Sequence, residues 1–135
     1  MVVFSPLAQG LLTGRFTRDG AEPHASVRED NLMFQEPAFS KAKEAASIVD
    51  DVADEGGWTS AQVALSWLLH TPGVTAPIVG ASSWDQMQDN IHALDIELTK
   101  EQYERISAAG LAAWNSLPDD AAMWGWKLSS PNPDA

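Results

Sequence analysis

The chain has 135 residues, 44% of them hydrophobic, which fits one folded domain and is too apolar for a disordered chain. A net charge of −11, from 8 basic and 19 acidic residues, argues against general binding of nucleic acid or of an anionic membrane. The absence of cysteine excludes disulfides and thiol chemistry, and the three histidines, His24, His70 and His92, stand too far apart for metal-ligand spacing.

Residues 1–4 form a short apolar, β-branched run that predicts a buried strand, stopped by Ser5 and Pro6. The following segment, to residue 38, is punctuated by Gly10, Gly14 and Gly20 and by Pro6, Pro23 and Pro37. It predicts a loop long enough to suggest function. Ser40 is the expected cap of a helix to about Glu55, whose apolar stripe is Ala42, Ala45, Ala46, Val49, Val52 and Ala53. Gly56 and Gly57 stop it. Thr59 or Ser60 caps a second helix, which ends at Pro72 and Gly73.

Residues 74–79 predict a second apolar strand, broken by Pro77 and closed by Gly80. Ser82 or Ser83 then caps a short helix to about Leu94. Thr99, with Gln102 at the capping-box position, opens a last helix carrying Tyr103, Ile106 and Ala109 on one face. From Leu111 onward no regular structure beyond a turn of helix is expected. This order is an α/β order with parallel strands. A buried parallel pair needs neighbours, so the sequence reads as the end of something larger.

Two features point to an anion. Residues 1–28 carry Arg15, Arg18 and Arg28 against Asp19 and Glu22, a balance of +1, whereas the rest carries 5 basic and 17 acidic residues, a balance of −12. In addition, the second strand runs through Gly80 to Ser82 and Ser83 at the start of a helix. A glycine there lets a ligand approach the backbone, and free N–H groups with the helix dipole favour negative charge. Taken alone, the same residues read as a simple N-cap.

Together the two junctions are more specific. Phe4-Ser5-Pro6-Leu7-Ala8-Gln9-Gly10-Leu11-Leu12-Thr13-Gly14-Arg15 resembles the stretch after barrel strand seven of the aldo-keto reductase superfamily. Ala64-Leu65-Ser66-Trp67-Leu68-Leu69 and Pro72-Gly73-Val74-Thr75-Ala76-Pro77-Ile78-Val79-Gly80-Ala81 are similar to its helix seven and strand eight. The resemblance spans residues 2 to about 109 in order, and phosphate sites in such barrels form from the loops after strands seven and eight.

The resemblance implies the C-terminal part of a (β/α)8 TIM barrel, incomplete in this chain, over residues 1–110, with a tail at 111–135. It implies NADP as cofactor and NADPH-dependent reduction of an aldehyde or ketone. Phe4 matches the aromatic that stacks on nicotinamide, and Ser5, Pro6, Leu7, Ala8 and Gln9 match the stretch around ribose and pyrophosphate. Arg15 and Arg28 match basic residues near the phosphates. Gly80 and Ser82 match the 2′-phosphate pocket, Gln86 and Asn90 the adenine contacts, and Asp89 stands where the family more often has Glu.

The family's Asp, Tyr, Lys and His tetrad lies on earlier strands, and no residue here matches it. Tyr103, the one tyrosine, is expected to pack, and Lys41, Lys43, Lys100 and Lys127 lie on helices or the tail. Alone the chain is expected to be inactive. The alternatives are a non-catalytic nucleotide-binding or barrel-pairing module, joining a complementary barrel fragment or itself, and a non-functional remnant. Tryptophans near the end, Trp114, Trp124 and Trp126, are candidates for a substrate loop by the same resemblance. No apolar run reaches the ~20 residues of a bilayer span and no secretory leader is visible, so a cytoplasmic location without membrane or nucleic-acid partners is expected.

Overall fold

The computed structural model describes residues 1–23 and 31–117; Arg28, Trp124 and Trp126 lie outside them. Two strands, β1 (Val2–Val3) and β2 (Ala76–Pro77), pair in parallel with Val2 opposite Ala76 and Val3 opposite Pro77. Bonds from Thr75 N–H to the Met1 carbonyl and from Ile78 N–H to the Val3 carbonyl, both 2.7 Å, continue the pairing at either end. Among the described residues four α-helices accompany them: α1 (Ala38–Gly56), α2 (Ser60–Leu69), α3 (Trp84–Ile91) and α4 (Lys100–Trp114). The described residues therefore form a mostly helical α/β unit.

The strands differ from expectation. Only Ala76 and Pro77 of the 74–79 run lie in the ladder, because Pro77 has no N–H and the Val74 N–H closes a turn onto Thr71. Nor is the pair buried: Val2 is 57% exposed, Ala76 opposite it is exposed too, and Ile78 just after β2 is 61% exposed. Each strand has one neighbour among the described residues, so its other edge and one face stay uncovered.

The described residues between β1 and α1 are more ordered than expected. They include two 3-10 turns, Ala8–Thr13 and Leu32–Phe34. Phe16, Phe34 and Phe39 form an aromatic triad with centroids 5.5 to 5.9 Å apart, which packs with Leu11, Ala42 and Ala46. Such rings add to their area burial through tilted and edge contacts.

Helix α1 begins at Ala38 rather than after Ser40. Pro37 occupies the cap and Glu36 Oε2 accepts from the Ser40 N–H, so the chain enters the helix three residues early. The apolar stripe is as expected, with Ala42, Ala46, Val49, Val52 and Ala53 buried, and Gly57 closes the helix at φ 68°. Thr59 caps α2 and Thr99 caps α4 through full capping boxes with Gln62 and Gln102. Ser83, not Ser82, caps α3. Helix α4 runs on to Trp114, within the one further turn expected from Leu111, since Leu111, Ala112 and Ala113 continue a sequence of strong helix formers.

A second core joins α1, α2 and α4 through Val49, Val52, Ala53, Val63, Ala64 and Ile106. Tyr103 packs, as expected, stacking on Trp67 at 5.8 Å while its hydroxyl meets Thr71 Oγ1. At the surface Arg105 and Gln102 both donate to Glu55 and fasten α4 to α1. These bonds, Arg105 first and then Gln102, hold the Glu55 carboxyl below the usual carboxylate range.

Candidate functional site

Parallel pairing brings the C-terminal ends of β1 and β2 side by side, and the chain leaving each strand borders one cleft of about 350 Å³. Ser5, Pro6, Leu7, Gln9 and Gly10 line one wall, and Ile78, Val79 and Gly80 the other. The two segments are some seventy residues apart in sequence, so their meeting is the work of the sheet register. Among the described residues no charged side chain lines the cleft, and its polar groups are backbone amides, a hydroxyl and a carboxamide.

The first wall is conformationally constrained. Ser5, Ala8 and Gln9 all have positive φ, at 50°, 47° and 55°, and Gly10 lies at 90°. Each left-handed non-glycine residue costs roughly 1–2 kcal/mol. Such residues persist where surroundings over-determine them, and they concentrate at ligand sites. Here the fixing contacts are visible. The Ala8 N–H donates to the Ser5 carbonyl and the Gly10 N–H to the Leu7 carbonyl, both at 2.9 Å, while Leu11 is buried beneath. Buried Asn31 caps the Leu32–Phe34 turn and reaches Gln9 Oε1 with its Nδ2 at 3.4 Å.

At the other wall, Gly80 leads to Ser82 and Ser83 at the start of α3. Gln86 Oε1 accepts from both the Ser82 N–H (2.8 Å) and the Ser82 hydroxyl (3.1 Å). Gln86 thereby fixes the orientation of both Ser82 donors. Asn90, one turn along α3, is half-buried at the edge of a larger apolar groove of about 510 Å³ between α2, β2 and α3. Met87, Ile91 and Leu94 leave much of that groove's far side exposed.

The expected site residues thus divide. Ser5, Pro6, Leu7, Gln9 and Gly80 share the cleft, with Ala8 in the same turn; Ser82 and Gln86 are joined where the second wall enters α3, and Asn90 lies a turn further on, at the apolar groove. Phe4, 69% exposed, is at the end of β1 with its ring uncovered. Arg15 is exposed on the loop beyond the first wall and does not line the cleft. Asp89 turns to α2, where Gln62 Nε2 donates to Oδ1 (2.7 Å) and the Thr59 hydroxyl to Oδ2 (3.3 Å).

Sequence reasoning missed a polar knot beside the Arg15 loop. Buried Asp50 accepts from the hydroxyls of Thr17 and Ser60, and its backbone carbonyl accepts from Arg18 Nη2 at 2.7 Å. Arg18 also pairs with Asp54 at 2.9 Å. Bonding to Asp54, with Asp50 close by, raises the guanidinium's proton affinity. One acidic residue on an apolar helix stripe was the available signal, since a carboxylate there needs partners. Among the described residues no helix is long and apolar enough to cross a membrane, and no cluster of three or more acidic or histidine side chains could hold a metal ion.

The sequence pattern of the Aldo/keto reductase family matches residues 1–110. An L-glyceraldehyde 3-phosphate reductase of Escherichia coli O157:H7 is 36% identical over 101 residues, covering 70% of this chain and 28% of that protein. A probable voltage-gated potassium channel subunit beta of Arabidopsis thaliana is 36% identical over 106 residues, covering 71% of this chain and 30% of that protein. Among solved structures, a glycerol dehydrogenase of Gluconobacter oxydans superposes with a TM-score of 0.72 at 25% identity, over 90% of this chain and 37% of its own length. That neighbour is a TIM barrel. The chain spans about a third of the length of these relatives. With the family pattern running through both walls of the cleft, this chain belongs to the aldo/keto reductase family.

Proposed function

We propose that this chain is the C-terminal, NADP-holding part of an aldo-keto reductase barrel, contributing strands seven and eight with their helices. The observation that carries the reading is the cleft at the C-terminal ends of two adjacent parallel strands, the place where barrels of this kind hold phosphates. The donor set fits a dinucleotide. Backbone groups of Ser5, Pro6, Leu7, Ala8 and Gln9 would follow ribose and pyrophosphate, and Gly80 and Ser82 would receive the 2′-phosphate. Gln86 and Asn90 would meet adenine, and Phe4 would lie against the nicotinamide. Arg15, and Arg28 outside the described residues, would offset phosphate charge in a chain that is otherwise acidic.

When bound, the dihydronicotinamide supplies the hydride that reduces a small aldehyde or ketone. This chain's residues bind and orient that cofactor. A proton donor must sit within hydrogen-bond reach of the carbonyl, and we assign no such role to Tyr103, which is spent on Trp67 and Thr71. Catalysis therefore requires the Asp, Tyr, Lys and His half of a barrel, and alone this chain is a nucleotide-binding piece in a soluble, cytoplasmic setting. The exposed groove between α2, β2 and α3, with the free edges of both strands, favours joining to a complementary barrel fragment or to a second copy.

Ligand-observed saturation-transfer NMR tests the reading. With NADP⁺, transfer to adenine and its ribose should exceed transfer to nicotinamide, because the adenosine end is held by one contiguous segment. Asn90→Ala and Gln86→Ala should each reduce it, whereas Tyr103→Phe should not. Absence of transfer, or equal transfer from NAD⁺ and NADP⁺, would overturn the 2′-phosphate assignment.

A further inference from the structure

We propose that Asp89 is a positioning residue of the nucleotide site, acting by locking α3 onto the N-terminus of α2 rather than by touching the nucleotide. The inference rests on the nucleotide-binding reading above and adds a residue role to it. Helix α3 has only eight residues and buries none of them, so its own helical preference cannot fix where it lies. What fixes it is a polar joint. Gln62, buried at 8% exposure, accepts the Thr59 N–H with its carboxamide oxygen. Its Nε2 donates both to Asp89 Oδ1 at 2.7 Å and to the Asp89 carbonyl at 3.2 Å. The Thr59 hydroxyl reaches Oδ2 at 3.3 Å.

Asp89 thereby extends the capping box of α2 across to a second helix, with its charge at the positive end of the α2 dipole. A helix turns about 100° per residue, so once Asp89 faces α2, Gln86 and Asn90 are set together on the adjoining face. Gln86 in turn orients the Ser82 donors. A carboxylate whose two oxygens both accept from α2 is committed to the joint. The same joint explains why the shorter Asp serves here: its oxygens meet Gln62 and Thr59 directly, where a longer side chain would have to fold back.

The test is a double-mutant cycle on the full chain, read by 2′,5′-ADP affinity and by amide hydrogen exchange of residues 84–91. Losing a charge-assisted bond to a buried carboxamide, Asp89→Ala should weaken 2′,5′-ADP and speed exchange in α3, each by about tenfold. Asp89→Asn keeps an acceptor for Gln62 and should stay within about threefold of the parent. In a Gln62→Ala background, where only the longer Thr59 bond to Asp89 remains, Asp89→Ala should cost less than about threefold. Should alanine at 89 prevent folding, Gln62→Glu sets a second carboxylate against Asp89 and should weaken binding and loosen α3 alike. Equal weakening by Asp89→Ala with and without Gln62, with α3 exchange unchanged, would mean direct contact and overturn the proposal. If the parent binds 2′,5′-ADP and Asp89→Ala alters neither readout, the proposal alone fails. If the parent shows no 2′,5′-ADP binding, the nucleotide reading itself fails and the role of Asp89 falls with it.

Discussion

Asp50→Ala is the most informative single perturbation of the scaffold, because that carboxylate joins three parts of the chain. Its oxygens accept from Thr17 on the Arg15-bearing loop and from Ser60 at the start of α2, while it belongs to α1. Asp50 and Ser60 are 7% and 6% exposed, so water cannot replace the lost acceptor at Ser60 without entering the knot. Leaving a buried hydroxyl unpaired costs about 1–3 kcal/mol. The Thr17 hydroxyl is half-buried and adds less. Arg18, at 41% side-chain exposure, stays paired with Asp54 and adds little through its solvent-screened ion pair with Asp50. The expected loss is therefore about 2–4 kcal/mol, a large share of the roughly 5–15 kcal/mol available to a small domain. Urea unfolding followed by circular dichroism measures it, with Asp50→Asn, which keeps an acceptor, expected to lose about half as much. A loss below about 0.5 kcal/mol for Asp50→Ala would show that the knot does not hold the loop to the helices.

Other perturbations separate other contacts. Glu55 is held below its ordinary pKa, so its bonds to Arg105 and Gln102 stabilise the fold above about pH 4.3 and are lost as the pH falls. Thermal midpoints at pH 7 and pH 3.5 should therefore converge partly in Glu55→Gln; an unchanged difference refutes the contribution. Gly56→Ala would place a Cβ 2.1 Å from the Trp58 ring, so displacement of that ring should outweigh the gain in helix propensity by about 1–2 kcal/mol. Stability equal to or above the parent would refute that packing. The purified chain should show no NADPH-dependent reduction of 4-nitrobenzaldehyde, and measurable turnover would place a proton donor within these residues.

Most of the fold was legible because local chemistry and global fold agree in it. The cap at Thr59, the capping box at Thr99, the stop at Gly56 and Gly57 and most of the stripe from Ala42 to Ala53 act within a few residues and appear as read, whereas the box that Gln62 completes at Thr59 was not read. Strand limits were not legible. A run such as Val74 to Val79 is apolar whether it pairs fully or, as here, at two positions, and pairing is set by neighbours the run does not encode. The order of the loop before α1 was also hidden, since Phe16, Phe34 and Phe39 meet across some twenty residues with no period to announce it. At the site, type and placement diverged at Asp89. Its position in the motif pointed to the nucleotide, whereas its partners, Gln62 and Thr59, lie on another helix and could not be found from spacing.

The central claim is that the turn after β2 and the start of α3, once seated on α2, form an adenosine 2′-phosphate site without residues from outside this chain. Titrating 2′,5′-ADP into the labelled chain while following backbone amides tests it most directly. Binding in the millimolar range, about −4 kcal/mol, is expected, with shifts concentrated at residues 80–90. Shifts scattered over the whole chain, or none at residues 80–90, would contradict it.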